Sequence, residues 1–256
     1  AAAFDHVIVR AHLDGEDIWL DPTIAQQGGD PRRADLSYLG VGLPIVSGTM
    51  GLVAIPAPRQ AEHGVEMAEG FAARGRKSHG TLTVETVYRG GAADAARRSL
   101  LGERIEDVSR RYLEYYRKRY ANAEVATVPV LEDDRAANLV RVREQYRLVD
   151  GLAGAAGRDP SLDLFAEALD KPMALPGSMS HPGPLRVGTR GTFRYRAEID
   201  APPTWSPRFG AESAHHESPA FKFDRAVSLD GNRAVLDYEL QVLADDVGPA
   251  DVARHL

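Results

Sequence analysis

The sequence contains no cysteine among its 256 residues. This absence excludes disulfide bonds, thiolate metal ligands and a thiol nucleophile within the chain. Lysine and arginine together number 31 against 37 aspartates and glutamates, which gives a net charge of −6. Proteins that bind nucleic acid usually carry a basic surface, and the excess of acidic residues therefore predicts no nucleic-acid partner.

Long apolar stretches are also missing. The longest nearly uncharged stretch, residues 36–59, is interrupted by glycine, proline and serine. A membrane-spanning helix needs about 20 consecutive apolar residues, so we expect no transmembrane segment in this chain. No positively charged segment is followed by an apolar one, and we therefore expect no signal peptide within these residues.

Strand and helix patterns predict an α+β fold that is rich in antiparallel strands. Apolar residues at three- and four-residue steps predict one long amphipathic helix over about 92–121, packed on a sheet. Pro56 and Pro58 mark a boundary between predicted domains at 1–58 and 59–256. Alternating apolar residues predict the main strands of the second domain at 81–88, 125–131, 139–149, 192–199, 221–229 and 233–243.

The start of the chain is typical of a β-hairpin. Residues 4–13 are rich in valine and isoleucine and predict the first strand. Asp14-Gly15 is a strong signal for a two-residue turn, and residues 18–21 are predicted to form the second strand of the hairpin. In this register Val9 faces Leu20. Apolar side chains fill one face of the hairpin, which we interpret as core: Val7, Val9, Ala11, Leu13, Ile18 and Leu20.

The other face of the hairpin carries His6, Trp19 and Asp21. The register makes His6 a diagonal neighbour of Asp21, within reach of an imidazole and a carboxylate. A four-residue loop would move the pair apart, and a three-residue loop would place the two on opposite faces. A histidine oriented by a carboxylate is the general base that a thiol or hydroxyl nucleophile needs. The alternative is a surface histidine and a turn-forming aspartate before Pro22.

The two strands also resemble those of a known family. The words FDHVIV at 4–9 and IWLDPT at 18–23 are similar to the histidine and aspartate strands of the bacterial transglutaminase-like, papain-like core. In that family a cysteine at a helix N-terminus, a histidine and an aspartate form a catalytic triad. The resemblance implies that His6 is the general base and Asp21 the orienting carboxylate. It also implies that Trp19 is the aromatic residue beside the triad, where substrate binds.

A similarity to the same proteins extends along most of the chain. Residues 27–30 and 52–56 resemble the end of that core, and residues 80–90 and 133–146 resemble the domain of unknown function that follows it. The resemblance implies that the chain is the C-terminal part of a longer protein. Its partner is then the upstream half of the core, which carries the cysteine. A periplasmic or secreted location is implied as well.

Two functions of different classes remain open. In the first, the full-length protein is a cysteine enzyme that transfers or hydrolyses an acyl group of a protein or peptide substrate through a thioester. This chain, which lacks the cysteine, would then be inactive by itself. In the second, the chain is a non-catalytic binding or scaffold module of a bacterial envelope protein. A third idea is that the accessory domain regulates access to the core cleft. None of these requires a cofactor.

Other charged groups are interpreted as structural, and no metal site is predicted. His215 and His216 are adjacent, and adjacent side chains of a strand point to opposite faces, so the two do not chelate one ion. We interpret this segment as an exposed loop. Asp94, Arg97 and Arg98 are interpreted as ordinary capping and surface charges near the start of the long helix.

Overall fold

The computed structural model describes residues 6–34, 36–57, 63–73, 75, 79–149, 162, 164–174, 183–205 and 208–252. Strands account for 45% of the described residues and helices for 16%. The predicted α+β class is therefore wrong. The described part of the chain is mainly β, and its three α-helices are short. None of these helices is long and apolar enough to cross a membrane.

Fourteen strands and three α-helices follow one another along the described residues. The strands are β1 (Val9–Leu13), β2 (Glu16–Leu20), β3 (Val41–Gly42), β4 (Val53–Ala54), β5 (His63–Ala72), β6 (Gly80–Gly90), β7 (Ala123–Asp134), β8 (Leu139–Leu148), β9 (Leu185–Arg186), β10 (Gly191–Asp200), β11 (Glu212–Glu217), β12 (Phe221–Asp230), β13 (Arg233–Val242) and β14 (Asp246–Val247). The helices are α1 (Gly91–Leu100), α2 (Ile105–Arg117) and α3 (Glu167–Asp170). The six main strands predicted for the second domain are confirmed as β6, β7, β8, β10, β12 and β13.

An eight-stranded sheet lies at the centre of the structure, with the strand order β11-β12-β13-β10-β5-β6-β8-β7. Its edges are β11 and β7. Neighbouring strands pair antiparallel except β10 and β5, which run parallel. The sheet is thus mixed, where the sequence predicted antiparallel strands. Parallel neighbours need a long crossover connection, and the described part of this connection contains β6, α1, α2, β7, β8, α3 and β9.

The two faces of the sheet differ in chemistry. The helices pack on one face, with α1 against β6, α2 against β7 and α3 against β10. Antiparallel sheets commonly leave the second face in water, and here that open face carries ion pairs, such as Arg143 with Glu85 at 2.7 Å and with Glu132 at 2.5 Å. The covered face holds the core, which includes Phe71, Leu82, Val84, Val142, Tyr146, Tyr195 and Leu240.

The predicted helix over about 92–121 is wrong because the chain turns between α1 and α2. Gly102 lies in this turn, and a glycine inside a helix costs about 1 kcal/mol relative to alanine. Arg104 is extended, with φ −71° and ψ 140°, and occupies the N-cap position of α2 without a side-chain capping hydrogen bond. Leu101, one of the apolar residues at the helical spacing that predicted the long helix, is exposed. The helical spacing of apolar residues continues across the turn, although the chain forms two separate helices there.

The sequence pattern did not predict β5, although this strand lies in the middle of the sheet. Glu69 occupies an inward position between Met67 and Phe71, and it interrupts the apolar alternation. Its carboxylate is buried and accepts hydrogen bonds from the hydroxyls of Tyr195 at 2.5 Å and Tyr116 at 3.4 Å. Buried polar groups need such partners, and the hydrogen bonds from these tyrosines offset the cost of burying the carboxyl group of Glu69.

A second buried carboxyl group, that of Glu144 on β8, lies on the same face of the sheet. The hydroxyl of Tyr146 donates a hydrogen bond to it. Burial raises the pKa of Glu144 to about 7, although the hydrogen bond from Tyr146 acts in the opposite direction. The folded protein therefore holds a proton at Glu144 under conditions in which the unfolded chain releases it.

The substitution Glu144→Gln should change how stability depends on pH. The folded pKa of Glu144 is raised above the unfolded value of 4.5. Its contribution to the free energy of unfolding is therefore fully present below pH 4.5 and is lost as the pH rises to about 7. Glutamine keeps an acceptor for Tyr146 without the charge. As the pH rises from about 5 to about 8, the free energy of unfolding of the variant should increase by roughly 2–4 kcal/mol relative to that of wild type. Urea unfolding measures this difference.

The matched control is Glu124→Gln. Glu124 is an exposed carboxylate paired with Arg147, whose hydrogen bond lowers the pKa of Glu124. This variant should show no gain at the higher pH. A Glu144→Gln protein whose stability follows the wild-type pH curve would contradict the raised pKa.

Candidate active site

The first hairpin forms as the sequence predicts. Strands β1 and β2 pair antiparallel with Val9 opposite Leu20. Asp14 and Gly15 form the turn with φ values of 52° and 82°, which is the left-handed backbone that two-residue hairpin turns require. The predicted register is therefore confirmed, and the open end of the hairpin brings the candidate catalytic residues together.

His6 and Asp21 form a hydrogen bond at this open end. Nε2 of His6 lies 2.7 Å from Oδ2 of Asp21. Because a carboxylate can only accept, Nε2 carries the proton, and Nδ1 is the basic nitrogen of the neutral ring. The His6 side chain is 35% exposed, whereas that of Asp21 is 2% exposed. A buried carboxylate thus orients an imidazole that reaches the surface.

Thr23 fixes the Asp21 carboxylate from the other side. Its backbone N–H and its hydroxyl both donate to Oδ1, at 2.9 Å and 2.6 Å. Burial raises the pKa of Asp21, but the hydrogen bonds from Thr23 and His6 outweigh burial and hold the pKa below its ordinary value of 3.8. Asp21 is therefore an anion at neutral pH. It can hold the ring in one orientation and offset a positive charge that forms on it.

A second histidine–aspartate pair on the same hairpin has a different environment. Nδ1 of His12 lies 3.0 Å from Oδ1 of Asp17, but these side chains are 70% and 47% exposed. Exposed pairs of this kind are weak and do not fix one geometry. The buried, threonine-held carboxylate distinguishes the His6–Asp21 pair from this one.

Trp19 lies two residues before Asp21 on β2, so the two side chains point to the same face. Arg10 is opposite Trp19 in the register, and its guanidinium carbon lies 5.7 Å from the centre of the indole ring. This is a cation–π contact. Strand alternation thus puts Trp19 on the side of the hairpin that carries His6 and Asp21, and its role in binding substrate stays a prediction.

The opposite face of the hairpin is not the core that the sequence predicted. Ile18 is buried, but Val7, Val9 and Leu13 are between 46% and 70% exposed. The reason is that β1 pairs with β2 alone among the described strands, and these side chains stay exposed among the described residues. Exposed apolar side chains occur further along as well, at Val41, Leu43, Ile45, Val46, Met50 and Leu52. We call these nine side chains the apolar surface.

Sequence reasoning missed a buried arginine that joins the continuation of the hairpin to the sheet. Arg97 was interpreted as a surface charge, yet its side chain is 0% exposed. Nε donates to Oδ1 of Asp133 at 2.6 Å, and Nη1 donates to Oδ1 of Asp94 at 2.9 Å. Nη1 also donates to the backbone carbonyl of Gln26, five residues after Asp21, at 3.3 Å. The surface interpretation is wrong because Arg97 lies at an internal boundary.

A cavity of about 490 Å³ lies at the same boundary. Leu20 and Asp21 line it from the hairpin, and Asp94 and Arg98 line it from α1. Among the described residues that form its wall, His6 does not occur. The cavity therefore borders Asp21 without including His6 in its wall.

The histidines near the C-terminus lie on the edge strand β11 and not in the predicted loop. Nδ1 of His215 is 2.7 Å from Oδ1 of Asp224 on β12. This hydrogen bond raises the pKa of His215. Within the described part of the chain, no group of three or more histidine, cysteine, aspartate or glutamate side chains is placed to hold a metal ion.

Comparisons of the chain with protein-family models, with curated proteins and with solved structures found no match. The likeness to the transglutaminase-like core therefore rests on the sequence words quoted above. The domain boundary at residue 58 and the catalytic roles of His6 and Asp21 stay predictions.

The substitution Thr23→Val should raise the pKa of Asp21. It removes the hydroxyl that donates at 2.6 Å, which lowers this pKa more than any other hydrogen bond does. Because the folded pKa is depressed, the lost stability should be about 1–3 kcal/mol at neutral pH. The difference in stability between wild type and Thr23→Val should disappear as the pH falls through the folded pKa of Asp21. Carboxyl ¹³C NMR and urea unfolding measure the two effects.

Thr49→Val is the matched control, because the Thr49 hydroxyl is exposed and donates to the carbonyl of Val46. This control should leave the titration of Asp21 unchanged. An Asp21 pKa that is equal in wild type and Thr23→Val would show that the hydroxyl does not stabilise the carboxylate.

Proposed function

We propose that this chain supplies the general base and the orienting carboxylate of a papain-like cysteine site. Such a site attacks an amide or ester of a protein or peptide and passes through a thioester. The contact of 2.7 Å between Nε2 of His6 and Oδ2 of the buried Asp21 supports this proposal most directly. The ring presents Nδ1 as its basic atom, which is what proton removal from a thiol requires.

In the proposed reaction, Nδ1 of His6 removes the proton of the thiol, and the thiolate adds to the carbonyl carbon of the substrate. The protonated ring then donates this proton to the leaving amine or alcohol, and a thioester remains. Water or a second amine attacks the thioester with His6 again as base, and the thiol is restored. Asp21 holds the ring and offsets its positive charge in both halves of the reaction.

The thiol must come from outside these residues, because the chain has no cysteine. We propose that it belongs to the upstream half of the transglutaminase-like core, and that this half covers the apolar surface. Ile45 is 88% exposed and Met50 is 98% exposed, and burying such side chains against a partner is favourable. In this arrangement Trp19 flanks the bound substrate. A periplasmic or secreted bacterial protein is the proposed setting.

The gene product at its native length should contain one cysteine that reacts quickly with a peptide-derived vinyl sulfone near neutral pH. His6→Ala should slow this labelling by about 100-fold or more, since a general base typically contributes that much. Asp21→Ala should slow it as well, because the ring loses its fixed orientation. Mass spectrometry of the labelled peptide measures the rate.

His12→Ala is the matched control, because it removes the exposed histidine of the second pair on the same hairpin. Its labelling rate should equal that of wild type. A folded His6→Ala protein that is labelled at the wild-type rate would exclude His6 as the base. A native-length product without any reactive cysteine would favour the non-catalytic scaffold function.

A further inference from the structure

We propose that Arg97 is a positioning residue for the His6–Asp21 pair and acts through residues 25–29. The catalytic meaning of this inference rests on the proposed function, whereas the positioning itself does not. Arg97 belongs to α1, more than 60 residues beyond Asp21 in the chain. Its influence on the hairpin must therefore pass through contacts between distant parts of the sequence.

Residues 25–29 are held by hydrogen bonds to such distant parts. All the partners lie on α1 or in the turn between β7 and β8. The backbone carbonyls of Ala25 and Gln26 accept from Arg98 and Arg97, each at 3.3 Å, and the N–H groups of Gly28 and Gly29 donate to Oδ1 of Asp94 at 3.0 Å and to the carbonyl of Arg135 at 2.7 Å. We call this set of contacts the clamp.

Arg97 is the centre of the clamp. Besides Asp94 and Asp133, Oδ1 of Asn138 accepts from its Nη1 at 2.6 Å. A fully buried guanidinium is strongly unfavourable unless its charge is paired. Nη2 is buried and has no hydrogen-bond partner within the described residues, so the partners of Nε and Nη1 carry the whole compensation. Loss of the arginine leaves the carboxylates of Asp94 and Asp133, whose side chains are 13% and 18% exposed, without their common cation.

The backbone of the clamped segment fits closely against this arginine. A Cβ atom at Gly28 would lie 2.8 Å from Nη1 of Arg97, which is too close for any side chain. Gln26 has a φ of 65°, an unfavourable conformation for a residue other than glycine. Arg97 holds its carbonyl and Arg135 holds its side-chain oxygen. The segment keeps this path because the arginines hold it there.

A short hydrogen-bonded turn connects the clamp to Asp21. The N–H of Ile24 donates to the carbonyl of Asp21 at 3.3 Å, and Thr23 donates twice to its carboxylate. The clamped segment begins directly after Ile24. A shift of the segment is therefore transmitted to the Asp21 carboxylate, and catalytic geometry tolerates only about 0.5 Å of displacement.

The experiment measures how fast the proton on Nε2 of His6 exchanges with water, by ¹⁵N NMR on this chain. The hydrogen bond to Asp21 should protect that proton in wild type. Arg97→Met should speed its exchange by about tenfold or more. Arg97→Lys should give an intermediate rate, because lysine keeps the charge but loses the planar fork. Gly28→Ala should act in the same direction as Arg97→Met, since its methyl group displaces the clamped segment.

Arg143→Met is the matched control, because Arg143 pairs with Glu85 and Glu132 on the open face of the sheet. Its exchange rate should equal that of wild type. If Arg97 had a purely structural role, its substitution would lower the unfolding temperature and leave the exchange rate in folded molecules unchanged. An unchanged exchange rate in Arg97→Met, Arg97→Lys or Gly28→Ala overturns the positioning role.

The exchange measurement also separates this inference from the proposed function. A wild-type chain without a protected Nε2 proton overturns both. Faster exchange in the Arg97 variants, together with a native-length product that lacks a reactive cysteine, supports the positioning role and overturns only the catalytic one.

Discussion

The buried charge of Arg97 is the constraint on which the arrangement of the hairpin and the sheet depends. An arginine without solvent contact must find acceptors in the protein, and those of Arg97 come from α1, from the end of β7 and the turn that follows it, and from the backbone after Asp21. One side chain therefore joins three parts of the chain that have no strand pairing in common. The desolvation cost of the guanidinium makes this junction specific, because a shifted partner leaves a charge unpaired.

The eight-stranded sheet provides the rigid frame for that junction. Its covered face is mainly apolar and holds the buried carboxyl groups of Glu69 and Glu144, to which tyrosine hydroxyls donate. Its open face carries arginine–glutamate pairs. Helix α1, on the covered face, presents Arg97 and Asp94 to residues 25–29, which follow the hairpin. The geometry of the His6–Asp21 pair is thus a consequence of local hairpin register and of distant support together.

The local part of this geometry could be predicted from the sequence, and the distant part could not. Asp14-Gly15 defines the register, and the period of two in a strand then places His6, Trp19 and Asp21 on one face. Arg97 shows no comparable signal, because an i,i+3 pair with Asp94 is ordinary on an exposed helix. Strand β5 could not be predicted because the inward carboxyl group of Glu69 interrupts the alternation of apolar and polar residues. The tyrosines that donate to this carboxyl group are distant in sequence. The break at Gly102 preserves the helical spacing of apolar residues, so periodicity alone does not reveal it.

The edges of the open sheet have a consequence for assembly. An edge strand offers unpaired backbone groups to any other strand, and long flat edges invite growth into larger sheets. Edge strand β7 contains Pro129, which has no N–H, and its pairing with β8 is irregular around Thr127. The other edge, β11, is six residues long and carries charged or ionisable side chains at Glu212, His215, His216 and Glu217. Both borders therefore disfavour the addition of a ninth strand to this sheet.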